Sequence, residues 1–188
     1  EQYLRGLCKL AHIEDCVEQW QHRAEQDIGL TEYLGLTGEE HKTFLCGGRD
    51  ALAALLEPQR RKQRFVLYQL QLDEENAIPF AFKDITALKA AGYEQPPAAM
   101  YYVAGSGEIY CPAEESDDTL LKRLFADCRE RLPEGCRGRP MAISDVVELN
   151  HGAKRAYYYV SGQDQFRQVK FSPMLAKKEI PEKTQERF

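Results

Sequence analysis

Long apolar runs are missing from this sequence. No stretch approaches the roughly 18 apolar residues that a membrane-spanning helix needs, and no positively charged start leads into the apolar core of a signal peptide. No two cysteines form a C-x-x-C pair, which argues against zinc ribbons and thioredoxin-type redox sites. These absences predict a cytoplasmic protein that does not associate with membranes.

The cysteines that are present indicate a reducing compartment. A chain of 188 residues can bury a sizeable core and does not need disulfides to fold. Free cysteine behaves as a small apolar residue, so we expect reduced and mostly buried thiols. The six cysteines are Cys8, Cys16, Cys46, Cys111, Cys128 and Cys136.

Charge is uneven along the chain, although the net value is only −5. Residues 1–57 hold eleven acidic against five basic side chains, giving −6, whereas residues 58–64 hold four basic side chains and no acid. Residues 65–188 hold nineteen acids against sixteen bases, giving −3. Because phosphate contacts dominate the affinity of proteins for nucleic acids, this acidic chain is a poor candidate for a direct nucleic-acid binder.

The first third of the chain has a helical pattern. Apolar side chains recur at three- and four-residue steps over residues 3–28, which predicts an amphipathic helix. Thr37-Gly38-Glu39-Glu40 is a capping box ahead of a further helix, and Gly47-Gly48 is expected to end that helix. We predict a helical subdomain over residues 1–57, followed by a basic linker over residues 58–64.

Beyond the linker the pattern changes to that of strands. Residues 65–72 alternate between apolar and polar in their second half. Two hairpins are predicted, around Gly105-Ser106-Gly107 and around Asn150-His151-Gly152. Strands joined by hairpins imply an antiparallel sheet, so we predict an α+β domain over residues 65–172 with helices packed on one face. Residues 173–188 are expected to form a polar C-terminal tail.

Tyrosines crowd the two predicted hairpins. Successive strand residues point to opposite faces, so some of these rings must point away from the core. Tyrosine is enriched at binding surfaces, but cross-strand aromatic pairs on a half-exposed sheet would place the same residues there. Both interpretations stay open. The residues of the hypothetical binding surface are Tyr101, Tyr102, Tyr110, Tyr157 and Tyr159.

Ser144, Asp145 and His151 are the residue types of a nucleophile triad. Ser144 and Asp145 are adjacent, so on a strand they would point to opposite faces, and His151 lies in a predicted turn. We therefore favour a structural role, in which Ser144 or Asp145 bonds nearby backbone and fixes the loop 135–140 to the sheet. A small enzyme with a site near these residues and Tyr157 is the alternative.

Cys8, His12 and Cys16 lie four residues apart and would share one face of the predicted first helix. Three such ligands and a fourth from elsewhere could hold a metal ion. Structural zinc sites usually draw their ligands from turns or from two elements. In the alternative, the two thiols pack inside and His12 lies at the edge. We predict no metal and no cofactor.

The segment Gly138–Leu149, followed by Ala156-Tyr157-Tyr158 and a later aromatic at Phe166, resembles the closing signature of the YodL-like domain family. Within it, Ser144-Asp145-Val146-Val147 match the family pattern directly. Arg139-Pro140 stands where that pattern has a His-Ser pair.

The resemblance to this family extends from about Phe65 to Phe171. It implies structural roles for the residues of the signature, and the family brings no established catalytic residue. The signature residues to which we assign such roles are Gly138, Ser144, Asp145, Val146, Tyr157 and Tyr158.

The helical subdomain is similar to a module common in proteins of conjugative and phage-like elements of gut Firmicutes. The similarity rests on Ile13–Trp20, on Leu30–Leu36 and on Thr37–Glu40. Together, the two resemblances imply a cytosolic accessory protein of a mobile element.

These observations predict a non-enzymatic protein that binds another protein, encoded by the host or by the mobile element. An anti-defence role, such as inhibition of a CRISPR effector or a restriction enzyme, is a concrete version, since an acidic inhibitor can occupy a basic nucleic-acid channel. A further alternative is nucleic-acid binding through the basic linker. Its cationic residues are Arg60, Arg61, Lys62 and Arg64.

Overall fold

The computed structural model describes residues 2–23, 28–73 and 75–178. Helices α1 to α5 comprise Ile13–Gln21, Leu30–Tyr33, Gly38–Leu56, Ile85–Ala90 and Asp117–Cys128. Strands β1 to β5 comprise Arg60–Leu70, Tyr101–Pro112, Val146–His151, Lys154–Gly162 and Gln165–Val169.

The chain divides into two compact units. The first unit comprises Glu1–Lys62 with Ile109–Glu115, and the second comprises Gln63–Glu108 with Ser116–Phe188. Strands β1 and β2 contribute residues to both.

Helix α3 of the first unit begins at the capping box that its sequence predicts. Thr37 Oγ1 accepts from the Glu40 N–H at 3.2 Å, and Glu40 Oε2 accepts from the Thr37 N–H at 2.6 Å. The expected stop at Gly47-Gly48 is a kink instead, because Gly48 at φ 66° leaves the helical region inside α3. The buried centre of this unit is formed by Ile13, Leu52 and Leu56.

The predicted helix over residues 3–28 is wrong. A 3-10 turn at Leu10–His12 precedes α1, and α1 itself covers only Ile13–Gln21. Gly6, at φ 74°, has a backbone conformation that a right-handed helix excludes. Residues 24–27 of the predicted helix lie outside the described residues.

The predicted basic linker is also wrong. Its residues complete a 3-10 turn at Glu57–Gln59 and then open strand β1. Arg64 pairs with Asn150 in the ladder between β1 and β3, and the buried Gln63 donates from Nε2 to the carbonyl of Asn150 at 2.7 Å. Pairing and burial outweigh the low strand propensity of basic residues.

Strand β2 is continuous from Tyr101 to Pro112, so the hairpin predicted around residues 105–107 is wrong. The two glycines serve close packing. A Cβ at Gly105 would lie 2.5 Å from Cys136 Sγ, and one at Gly107 would lie 2.7 Å from the Phe65 ring. Glycine inside a strand often marks such a close approach.

The five strands form one sheet in the order β2-β1-β3-β4-β5. The pairs β1–β3, β3–β4 and β4–β5 are antiparallel. The second predicted hairpin is confirmed: β3 and β4 pair from Val146↔Tyr159 to His151↔Lys154, around a two-residue turn at Gly152-Ala153. Gly152, at φ 64°, supplies the left-handed conformation of that turn.

The α+β class is confirmed, but the helices of the second unit lie on both faces of the sheet rather than on one. Leu88 of α4 is buried in the same cluster as Tyr159. From the opposite face of β4, the Tyr158 hydroxyl donates to the Asp117 carboxylate of α5 at 2.6 Å. The Phe125 ring of α5 contacts the Phe166 ring, with centroids 6.3 Å apart.

The predicted C-terminal tail is ordered where it is described. Pro173–Leu175 form a 3-10 turn, and Ala176 is buried. The Lys177 N–H donates to the carbonyl of Tyr101 at 2.8 Å, and its carbonyl accepts from the Val103 N–H at 2.9 Å. Residues 179–188 lie outside the described residues. Across the described chain, no helix combines the length and apolarity needed to cross a bilayer.

All six cysteines are free, but the expectation of mostly buried thiols is wrong. Only Cys111 and Cys128 are buried, whereas Cys8 and Cys46 are exposed on the first unit, whose small core leaves them outside. Burial raises the pKa of the Cys128 thiol to about 12, which keeps this sulfur protonated and unreactive.

Candidate functional site

The segment 138–145 holds a buried ion pair. Arg139 and Asp145 lie six residues apart on the segment that leads into β3, and they are 4% and 0% exposed. Arg139 Nη1 donates to Asp145 Oδ2 at 2.9 Å, and Nη2 donates to Oδ1 in the same planar fork. The Ala142 N–H adds a bond to Oδ2 at 2.9 Å.

Two polar side chains from the neighbouring strands complete this arrangement. Gln69 Nε2 donates to the Arg139 carbonyl at 2.7 Å, and Gln69 Oε1 accepts from the Arg139 N–H at 3.2 Å. The Tyr102 hydroxyl donates to the same Oε1 at 2.9 Å. Gly138 allows this close approach, since a Cβ there would lie 2.5 Å from Gln69 Oε1. We call the signature cluster Gln69, Tyr102, Arg139, Ser144 and Asp145.

Ser144 joins the signature cluster to a neighbouring turn. Its backbone has φ 79°, and its side chain is fully buried. Ser144 Oγ accepts from the Phe82 N–H at 3.1 Å, while its carbonyl accepts from the Tyr101 hydroxyl at 2.9 Å. The hydroxyl oxygen is thus engaged with backbone and is not a free nucleophile.

Phe82 is held in an unusual conformation at the edge of this cluster. Its backbone has φ 58°, which is uncommon for a bulky residue. Its ring centroid lies 5.0 Å from Arg139 Cζ, yet the residue is 49% exposed. The turn at residues 77–83 buries Ala77 and Phe80 but leaves Ile78 and Phe82 outside. The cluster therefore fixes an exposed aromatic ring in place.

Burial and ion pairing act in opposite directions on the charged groups of the cluster. Burial raises the pKa of the Asp145 carboxyl, and the Arg139 guanidinium opposes that rise. Burial acts to lower the pKa of Arg139, but the Asp145 carboxylate beside it leaves that pKa raised. Burial also raises the pKa of the Tyr102 phenol, to about 12. These shifts follow from burial and from the close pairing of Arg139 with Asp145.

The favoured structural role of Ser144 and Asp145 agrees with this geometry. Both bond backbone N–H groups, and Asp145 ties the segment at Arg139 to the sheet. His151 is not brought to Ser144: its Nε2 lies 3.0 Å from Asp117 Oδ2, the same oxygen that accepts from Tyr158. The three residue types of the triad are thus split between two places.

The hypothesis of an exposed tyrosine surface is wrong for three of its five residues. Tyr101, Tyr102 and Tyr159 are fully buried, because both faces of the sheet are covered. Their hydroxyls bond inside the second unit, as Tyr159 does by donating to the Lys83 carbonyl at 2.9 Å. Tyr157 is half-buried against Phe171, and its ring centroid lies 5.7 Å from that ring. Tyr110 is 38% exposed.

Cys8, His12 and Cys16 do not lie on a single helix face. Cys8 precedes the 3-10 turn, His12 ends that turn and Cys16 lies in α1. Within the described ranges, no three His, Cys, Asp or Glu side chains are placed to hold a metal ion.

Strand alternation places Arg60, Lys62 and Arg64 on one face of β1 and Arg61 on the other. Arg61 Nη2 donates to the Glu115 carbonyl at 2.6 Å, and Arg64 Nε lies 3.7 Å from Glu108 Oε1. Arg60 lies over the ring of Tyr110, with Cζ 3.6 Å from the centroid. Lys62 Nζ lies 5.8 Å from the centroid of the same ring.

The sequence interpretation missed Gln69 and Phe82, and it gave Arg139 no role in the site. Gln69 lies between Tyr68 and Leu70 in an apolar strand, and a polar residue at such a position signals a buried partner. Phe82 has no local sequence signal, because its conformation depends on Ser144, which lies 62 residues away.

Comparison with known proteins agrees with this signature. The family model of the YodL-like domain matches residues 64–171, which include the whole signature cluster. No curated protein and no solved structure gave a significant match. A match over more than half of the 188 residues, with the signature segment assembled as one cluster, shows that the chain belongs to the YodL-like domain family.

Proposed function

We propose that this chain is a non-enzymatic accessory protein of a bacterial mobile element, which acts in the cytoplasm by binding another protein. Inhibition of a defence enzyme, such as a CRISPR effector or restriction enzyme, is the specific form of this proposal. The partner is encoded by the host or by the element.

The observation that carries this proposal is the exposed, fixed ring of Phe82. Backbone strain persists only where the surroundings enforce it, and it concentrates at functional sites. Here the Ser144 hydroxyl bonds the strained Phe82 N–H at 3.1 Å. Ile78, on the same turn, is 62% exposed. A rigid aromatic ring beside a second apolar side chain is suited to anchor a protein interface at low entropic cost.

Two further features favour binding over catalysis. The charged groups of the signature cluster bond one another, and Arg139 and Asp145 have almost no exposed surface that could reach a substrate. Residues 1–57 carry a net charge of −6, which suits a partner that presents a basic channel.

The test is affinity capture from a gut-Firmicute lysate with three tagged proteins: wild type, Phe82→Ala and Leu45→Ala. Leu45 is an exposed apolar residue of α3 at 66% exposure and serves as the matched control. We expect wild type and Leu45→Ala to enrich the same complex and Phe82→Ala to lose it.

The captured partner is then purified and its dissociation constant measured directly. The partner would bury the Phe82 ring in the complex. Removal of such an aromatic anchor should weaken binding by about 2 kcal/mol or more, which is roughly thirtyfold. Equal affinity of wild type and Phe82→Ala would contradict the proposed site. Turnover of a defined substrate by the purified chain would contradict the non-enzymatic function.

A further inference from the structure

The first unit has a cavity of about 420 Å³, which is lined by none of the residues of the signature cluster. Three cationic side chains line it: Lys9, Arg49 and Arg60. We call it the Arg60 cavity. The other polar and aromatic residues in its wall are Tyr3, Asp50 and Tyr110.

Two tyrosine rings fix the plane of the Arg60 guanidinium. Its Cζ lies 3.6 Å from the ring centroid of Tyr110 and 4.6 Å from that of Tyr3. Stacking on aromatic faces pre-organises the planar fork of an arginine, so less freedom is lost when that fork binds a ligand. The side chain is 13% exposed, which keeps it within reach from the cavity.

The charge of Arg60 is only loosely paired. Glu57 Oε1 lies 3.8 Å from Arg60 Nη1, beyond hydrogen-bond distance, and the same oxygen accepts from the Tyr3 hydroxyl. Among the described residues, Arg60 Nε has no hydrogen-bond partner. A largely buried guanidinium whose carboxylate partner lies at 3.8 Å can take a closer anion from outside.

Gly6 keeps the edge of the guanidinium open. A Cβ at this position would lie 3.1 Å from the Tyr110 side chain and 3.4 Å from Arg60 Nη2. Its φ of 74° also favours glycine over any other residue. The turn around Gly6 therefore approaches the two side chains closely without covering the fork.

The cavity is locally positive although residues 1–57 are acidic overall. Lys9, Arg49 and Arg60 face one acid, Asp50, whose side chain is 94% exposed. Asp50 Oδ1 lies 3.7 Å from Arg49 Nε, so this exposed pair is weak and readily exchanged. Three cations against one solvated carboxylate give a site that attracts anions.

We propose that the Arg60 cavity binds a small organic phosphate. A planar, pre-organised guanidinium matches two phosphate oxygens, and the ammonium of Lys9 adds a point charge. The volume falls in the range of small-molecule sites. This site does not include Phe82 or Ile78, the apolar residues of the protein-binding proposal, so the Phe82→Ala and Arg60→Gln variants test the two proposals separately.

The test is calorimetric titration of the full chain with three probes: inorganic phosphate, adenosine monophosphate and succinate. The proposal expects saturable binding of both phosphates and clearly weaker binding of the dicarboxylate. Succinate binding as tight as that of phosphate, or no heat from either phosphate at millimolar concentration, would overturn it.

Two variants place the binding at this cavity. Arg60→Gln should weaken phosphate binding by about tenfold or more, since a charge-assisted hydrogen bond is lost. Arg64→Gln removes a cation of the same strand whose side chain is 73% exposed and does not line this cavity, so it should leave binding unchanged. A thermal melt confirms that both variants fold. Equal weakening by both variants would mean adventitious binding to surface charge and would overturn the assignment.

Discussion

Arg139 and Arg60 are both largely buried, and each guanidinium lies against aromatic rings, but their anionic partners differ. Arg139 meets the Asp145 carboxylate in a two-bond fork and is 4% exposed. Arg60 has Glu57 only at 3.8 Å and faces an open cavity. The guanidinium therefore has a two-bond carboxylate partner in the second unit and a more distant carboxylate in the first.

The difference in their carboxylate partners suggests a structural role for Arg139 and agrees with the ligand-binding role proposed for Arg60. A buried cation that shares two hydrogen bonds with a carboxylate stabilises its surroundings, whereas a cation whose carboxylate lies at 3.8 Å has more donor capacity to offer a ligand. In the second unit, the proposed binding site is instead the ring of Phe82, which the cluster holds at the surface.

The largest loss of unfolding free energy is expected from Asp145→Asn. The variant leaves Arg139 buried without a carboxylate, which typically costs about 3–5 kcal/mol of unfolding free energy. Urea denaturation followed by circular dichroism measures the change. Asp50→Asn is the control, because that side chain is 94% exposed, and it should change stability by less than about 0.5 kcal/mol.

A smaller loss is expected from Ser144→Ala. It removes the acceptor of the Phe82 N–H and should lower the free energy of unfolding by about 1–3 kcal/mol. The control is Ser172→Ala, since the Ser172 side chain is exposed and makes no capping hydrogen bond to the 3-10 turn that follows it. Identical stabilities of the two variants would show that the tie between Ser144 and Phe82 adds nothing.

The contribution of the protonated Tyr102 hydroxyl to stability can be tested by measuring unfolding at alkaline pH. Burial raises the pKa of Tyr102 from 10.0 to about 12, so the stability that depends on its protonated form is complete below pH 10 and is lost as pH rises towards 12. Tyr102→Phe should be less stable than wild type by about 1 kcal/mol at neutral pH. We expect that gap to shrink between pH 10 and 12 in urea titrations. A constant gap across this range would contradict the assignment.

The smallest effect on stability is expected from Arg60→Gln. Loss of its contacts with the Tyr3 and Tyr110 rings should lower the free energy of unfolding by at most about 1 kcal/mol. The same urea assay provides the measurement. A loss as large as that of Asp145→Asn would show that Arg60 stabilises the fold as Arg139 does, which would contradict the difference proposed between the two arginines.

Features set by neighbouring residues could be predicted from the sequence. The capping box at Thr37 and Glu40 and the turn at Gly152 follow local rules, and both are present. The same local rule failed at Gly105, where the glycine is needed because Cys136, distant in sequence, packs against it.

The site was predictable only in outline. The signature pattern identified Ser144 and Asp145, and their residue types indicated backbone bonding. Their partner Arg139 appeared in the sequence only as a departure from the family pattern, since its pairing depends on the path of the loop. The burial of Tyr101 was hidden because the sequence did not place helices on both faces of the sheet.

A double-mutant cycle of Arg139→Met and Asp145→Leu tests most directly whether the ion pair between these two residues stabilises the fold. Unfolding free energies are measured in urea for wild type, both single variants and the double variant. We expect each single variant to lose about 3–5 kcal/mol and the double variant to lose much less than the sum, because neither charge is then left unpaired. Additive losses, or single losses below about 1 kcal/mol, would contradict the structural role of this cluster.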